Sequence, residues 1–133
     1  MPETDPWEYA LYIPNDVRAV TVSRRTLRLI LTMHGLIRLV DTAELLAAEL
    51  VSNAVWHTEG PAALRVGWSA GVLRIGGWDA DPGPPEPPGD PGLSEEEGRG
   101  VALVEACADL RGWQPLVRHG NRGKLVWAEV GAA

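Results

Sequence analysis

Between Asp81 and Glu97 the chain carries six acidic residues, six prolines, three glycines and no basic residue. Proline removes a backbone donor and fixes φ, so such a run forms neither a helix interior nor a central strand. It is a long loop, and inside a compact domain a loop of this length is more often functional or disordered than merely connective. It divides the 133 residues into two patterned parts, too short for two ordinary cores and long enough for one.

Before the loop, residues 1–7 read as a loose leader. Glu8 to Ile13 is rich in aromatic and branched residues and stopped by Pro14, which predicts a strand. Asn15 or Asp16 is placed to cap a helix from Val17 to about His34, with Val17, Val20, Leu27, Ile30 and Leu31 as its apolar stripe. Gly35 ends it. Arg18, Arg24, Arg25 and Arg28 fall mostly elsewhere and form either a solvated face or a docking surface for an acidic protein partner. A second helix is predicted from Asp41, where Asp41 and Glu44 have capping-box spacing, to about His57, with Gly60-Pro61 as the stop. Ala63–Trp68 and Val72–Asp79 then read as a hairpin turning at Ser69-Ala70-Gly71.

After the loop, Gly98-Arg99-Gly100 opens a helix from Val101 to about Leu110, with Leu103, Val104 and Cys107 on its inner side. Trp113–His119 and Lys124–Val130 follow as a hairpin around Gly120–Gly123. This succession predicts an α+β domain: a two-layer α/β sandwich with helices on one face of a mixed, mostly antiparallel sheet.

A formal net charge of −6 argues against general affinity for nucleic acid. Spanning a bilayer takes an apolar run of about 18 residues, which is absent, and the acidic N-terminus lacks a signal-peptide pattern. The lone Cys107 permits no internal disulfide. A cytoplasmic protein is the expectation.

Three features carry chemistry. Glu49 and Asn53 are four apart on a helix, hence on one face, beside the core positions Leu46, Leu50 and Ala54. They offer a proton acceptor and an oxygen ligand for Mg²⁺, a cation that keeps several waters and needs few protein oxygens. Asp79 closes a strand just before the loop, where a carboxylate accepts a hydrogen bond from an exocyclic amine. Gly98 and Gly100 at a helix start leave backbone N–H groups open to a phosphate. Taken singly, an Asp79 at a strand end is ordinarily a turn former, the glycines relieve strain, and His57 meets the C-terminal helix dipole.

In this order the three resemble the nucleotide site of the GHKL (histidine kinase-like) ATPases. The likeness is greatest to the short bacterial anti-sigma factors that are also serine-protein kinases, and it spans about residues 8–130. The helical box is matched by Glu49-Leu50-Val51-Ser52-Asn53-Ala54-Val55-Trp56-His57, and the adenine-reading aspartate by Asp79 in Ile75-Gly76-Gly77-Trp78-Asp79. The glycine motif is matched by Gly98-Arg99-Gly100-Val101-Ala102-Leu103-Val104, and the closing strand by Gly123-Lys124-Leu125-Val126-Trp127-Ala128-Glu129. Two positions depart: the family's Asp-x-Gly-x-Gly box is here Asp79-Ala80-Asp81-Pro82-Gly83, and its threonine near adenine aligns with Leu125.

The resemblance implies a single Bergerat-type ATP-binding domain over residues 1–133, with 81–97 as the ATP lid. It implies ATP and Mg²⁺ as cofactors. Asn53 would ligate the metal, Glu49 would be the general base, and Asp79 would select adenine. Gly98, Arg99, Gly100 and Gly123 would complete the ATP site. The expected partners are a sigma factor or an anti-anti-sigma-like antagonist phosphorylated on serine, and a homodimer is compatible with this. The alternative is a non-catalytic or weakly hydrolytic ATP-binding module whose nucleotide state gates a protein contact. Trp56 and Trp78 would flank the site.

Overall fold

The computed structural model describes residues 5–56, 60–83 and 108–131. The strand β1 spans Trp7–Ile13, so Trp7 belongs to it and not to a leader. Helix α1, Arg18–Met33, buries Ala19, Ser23, Leu27, Ile30 and Leu31 at helical spacing. At its start Asp16 accepts the backbone N–H of Arg18 at 2.8 Å, while the side-chain Nδ2 of Asn15 donates to the carbonyl of Val55 at 3.1 Å. Of the two capping candidates, Asp16 therefore serves its own helix and Asn15 satisfies a late carbonyl of the next. The end of α1 is a Schellman motif. Gly35 sits at φ 75°, Leu36 N–H donates to Leu31 O at 2.8 Å, and Gly35 N–H donates to Thr32 O at 3.2 Å. Leu31 and Leu36 are both buried, supplying the apolar contact of that motif.

A 3₁₀ turn, Ile37–Leu39, leads directly into α2, Val40–Trp56. Glu44 does not close a capping box. Its two oxygens accept Arg28 Nε at 2.9 Å and Arg28 Nη2 at 2.8 Å, joining α1 to α2. A bidentate charge-assisted pair is stronger than a hydrogen bond to a neutral backbone N–H, which explains the choice. Arg28 remains about half exposed while it makes this pair.

Five strands, β1 with β2 Ala62–Ser69, β3 Val72–Asp79, β4 Leu110–Pro115 and β5 Lys124–Gly131, form one sheet in the order β1-β2-β3-β5-β4. Among the described residues every pairing is antiparallel, where a mixed, mostly antiparallel sheet was expected. The β2–β3 turn has Ala70 at φ 53° and Gly71 at φ 79°, the two positive φ values of a type I′ hairpin whose twist suits the strands. Alternation along the strands sends Leu64, Val66, Leu73, Ile75, Ala128 and Val130 into one core with Leu46, Leu50 and Val51 of α2. Both helices therefore cover the same sheet face.

The opposite face has a smaller core of Ala63, Trp78 and Leu125. The β4–β5 connection folds over it: Leu116 packs there, its carbonyl accepting Trp78 Nε1 at 2.8 Å. Beyond Leu116, Arg118 and Asn121 exchange backbone hydrogen bonds of 3.0 and 2.9 Å around His119 and Gly120. Strand β4 thus ends at Pro115 and not at His119, and it starts at Leu110, where the last turn of a helix was expected. Asp109 explains the start. Its N–H donates to Glu129 O at 2.8 Å and its carboxylate accepts Gly131 N–H at 2.7 Å, so the chain is already tied to β5.

Candidate functional site at the α2–β3 seam

Helix α2 lies against β3 at one close approach. A Cβ added at Gly77 would come 2.6 Å from the carbonyl oxygen of Leu50, so only glycine admits the helix backbone there. Leu46, Leu50 and Ala54 are buried as expected, and Leu50 is 2 % exposed. Glu49 and Asn53 flank Leu50 on α2, half-buried, where the helix rim meets the edge of the core. Their spacing keeps them on one side of the helix, one turn apart.

The alternation that turns Leu73, Ile75 and Gly77 toward α2 turns Asp79 to the same face. Asp79 is 3 % exposed and does not stand open at a pocket edge. Its Oδ1 accepts Lys124 Nζ at 3.0 Å and the backbone N–H of Asp81 at 2.9 Å. Lys124, 4 % exposed, also donates to the carbonyl oxygen of Asp81 at 3.1 Å. Asp79 and Lys124 are register partners on β3 and β5, so the pair closes the end of the sheet. Burial raises the Asp79 pKa above the ordinary carboxylate value, and the bonds from Asp81 N–H and Lys124 only partly offset it.

Lys124 was not among the expected site residues. It is the chain's one lysine, at the start of an apolar strand, and a charge in that position needs a counter-charge; Asp79 at the end of another buried strand was the available one. Leu125, aligned with a threonine near adenine, faces the other way. It packs with Trp78 and Ala63 on the helix-free face, because neighbouring residues on a strand point to opposite sides. Trp78 is likewise buried on that face, so it does not flank Glu49 and Asn53. Trp56, at the end of α2, is 66 % exposed.

Gly123 comes to Asp79: a Cβ there would lie 2.1 Å from Asp79 O and 2.8 Å from the Trp78 ring. Its need for glycine is thus a packing need where β5 begins. Gly98, Arg99, Gly100, His57, Cys107 and the loop from 84 onward lie outside the described residues, as does the start of the expected helix at Val101.

Among the described residues no three His, Cys, Asp or Glu side chains converge as a metal cage. A magnesium ion held by Asn53 does not require one, since phosphate oxygens and waters complete its shell. No described helix is long and apolar enough to cross a membrane. The sequence matches no known protein family and no characterised protein.

Proposed function

We propose that the chain is an ATP-binding regulatory protein of the Bergerat type, cytoplasmic, acting as a serine kinase on a protein antagonist in the manner of an anti-sigma factor. One observation supports this above the others: the Leu50–Gly77 contact ties α2 to β3, with Glu49 and Asn53 on the helix and Asp79 on the facing side of the strand. A nucleotide lying along that seam would meet carboxylate, carboxamide and carboxylate in the order that the sequence motifs require.

In this reading Asn53 holds Mg²⁺ through its carboxamide oxygen. Asp79 accepts the exocyclic amine of adenine on Oδ2, since Oδ1 is engaged by Lys124 and Asp81. Glu49 takes the proton from the attacking serine hydroxyl, a role whose loss lowers rate by about 10²–10⁴-fold while binding survives. Gly98, Arg99 and Gly100 receive the phosphates. Mg-ATP, when bound, supplies the phosphoryl group.

The Asp79–Lys124 pair favours a second reading, a non-catalytic module whose nucleotide state gates a partner contact. An aspartate already engaged by an ammonium group has less to offer an adenine amine. The two readings separate on Glu49. Incubation with Mg-ATP and a candidate protein antagonist should yield phosphoserine, lost in Glu49→Ala. If no phosphoserine forms and Glu49→Ala leaves partner binding intact while Asn53→Ala abolishes it, the non-catalytic reading stands.

A further inference from the structure

The helix-free face of the sheet is a checkerboard. Register sets Glu8, Gly67, Arg74 and Glu129 in one row across four strands, and Arg65, Gly76, Trp127 and Gly112 in the next. Glycines thus alternate with large side chains, and two of these glycines have a packing reason. A Cβ at Gly76 would lie 2.7 Å from Leu125, and one at Gly112 would lie 2.6 Å from the Trp127 ring. Gly67 has none: a Cβ there meets only the carbonyl oxygen of Trp7, at 3.8 Å. Glycine in a strand interior marks a bulge, a tight bend, or a place where a ligand or another backbone comes close.

The space over Gly67 is a groove. Two adjoining depressions of about 210 and 660 Å³ share Glu8, Gly67 and Arg74 in their linings. Arg74 Nε and Trp127 Nε1 are shielded from solvent and have no acceptor among the described residues. Glu129 Oε1 forms an ion pair with Arg74 Nε at 3.7 Å, too long for a hydrogen bond, and Glu8 is already taken by Arg65 at 2.5 Å. The Arg74 guanidinium instead stacks on Trp127, 4.0 Å from the ring centroid. Buried donors without acceptors are rare in native proteins, and a bound acceptor is a standard reason for them. The 660 Å³ depression continues past Gly67 to the side chain of Val72.

We propose that this groove binds a small organic acid, with its carboxylate accepting Arg74 and Trp127 and its apolar body lying over Gly67 toward Val72. The site is separate from the α2–β3 seam, on the other side of the sheet.

Benzoate is the probe, with benzyl alcohol as the neutral control of similar size. The readout is the indole N–H resonance of Trp127, assigned by its loss in Trp127→Phe. Benzoate should shift it saturably and benzyl alcohol should not. Gly67→Val fills the groove with a residue type suited to a strand, and Arg74→Gln removes the charged donor from a half-exposed side chain. Each should weaken benzoate binding by about tenfold or more, the loss expected for one charge-assisted hydrogen bond or for the vacated volume. The proposal is overturned by an unsaturable benzoate response, by an equal response to benzyl alcohol, or by wild-type affinity in Arg74→Gln.

Discussion

Replacing Lys124 by methionine leaves Asp79 buried without its counter-charge. The two side chains are 5 % and 4 % exposed, with Nζ and Oδ1 3.0 Å apart. At that distance an effective dielectric of about 20 gives an attraction of about 5–6 kcal/mol. Removing both ions from water costs several kcal/mol each, so the intact pair contributes little net stability, whereas breaking it costs about 3–5 kcal/mol. Asp79 has an escape route that sets the pH dependence. Its folded pKa is already raised by burial, and losing Lys124 raises it further. A raised folded pKa stabilises the fold at low pH and is lost as pH rises through it, so Lys124→Met should be less damaging near about pH 5 than near about pH 8. The assay is urea unfolding of Lys124→Met, Asp79→Asn and the double variant at both pH values. The double variant should be more stable than the sum of the single losses implies, with a coupling of about 1–3 kcal/mol. A cost for Lys124→Met below about 1 kcal/mol, or additive losses, would refute the reasoning.

Three further outcomes are expected. Ala70 holds a left-handed conformation that costs a non-glycine residue about 1–2 kcal/mol; asparagine tolerates it, so Ala70→Asn should raise the unfolding midpoint, measured by urea titration. Gly77→Ala forces α2 away from β3 and should cost about 1–3 kcal/mol or more, with lower nucleotide affinity by calorimetry, because Leu50 O has nowhere to move but with the helix. Glu44→Gln should cost about 1 kcal/mol, the half-exposed Arg28 reducing the value of the pair. Arg28 holds the Glu44 pKa below its ordinary value, so the wild type alone should show this share of stability being lost as pH falls below about 4.5, which acid titration of both proteins by circular dichroism checks.

Local signals in the sequence translated well into structure where one residue decides the geometry. Gly35 stops α1, Gly71 turns the β2–β3 hairpin, and the stripe of Leu46, Leu50 and Ala54 places α2 on the sheet. What escaped were the decisions made by partners distant in the chain. Glu44 has capping spacing, but a guanidinium sixteen residues upstream outcompetes the helix terminus for it. Leu110 follows helix-like residues, but Asp109 is tied to Glu129 and Gly131 of β5. At the candidate site, Glu49 and Asn53 were legible because helical spacing fixes their shared face. Lys124 was not, because one step along β5 separates a residue facing Asp79 from one facing Trp78, and that register is set by pairing across the sheet.

Asn53 and its neighbours on α2 are proposed to form a magnesium–nucleotide site. The most direct test is calorimetric titration of the wild type, Asn53→Ala and Glu49→Ala with Mg-ATP. A saturable heat is expected in the wild type, with its loss in Asn53→Ala and its retention in Glu49→Ala. Absence of saturable heat in the wild type, or an unchanged affinity in Asn53→Ala, would contradict that proposal.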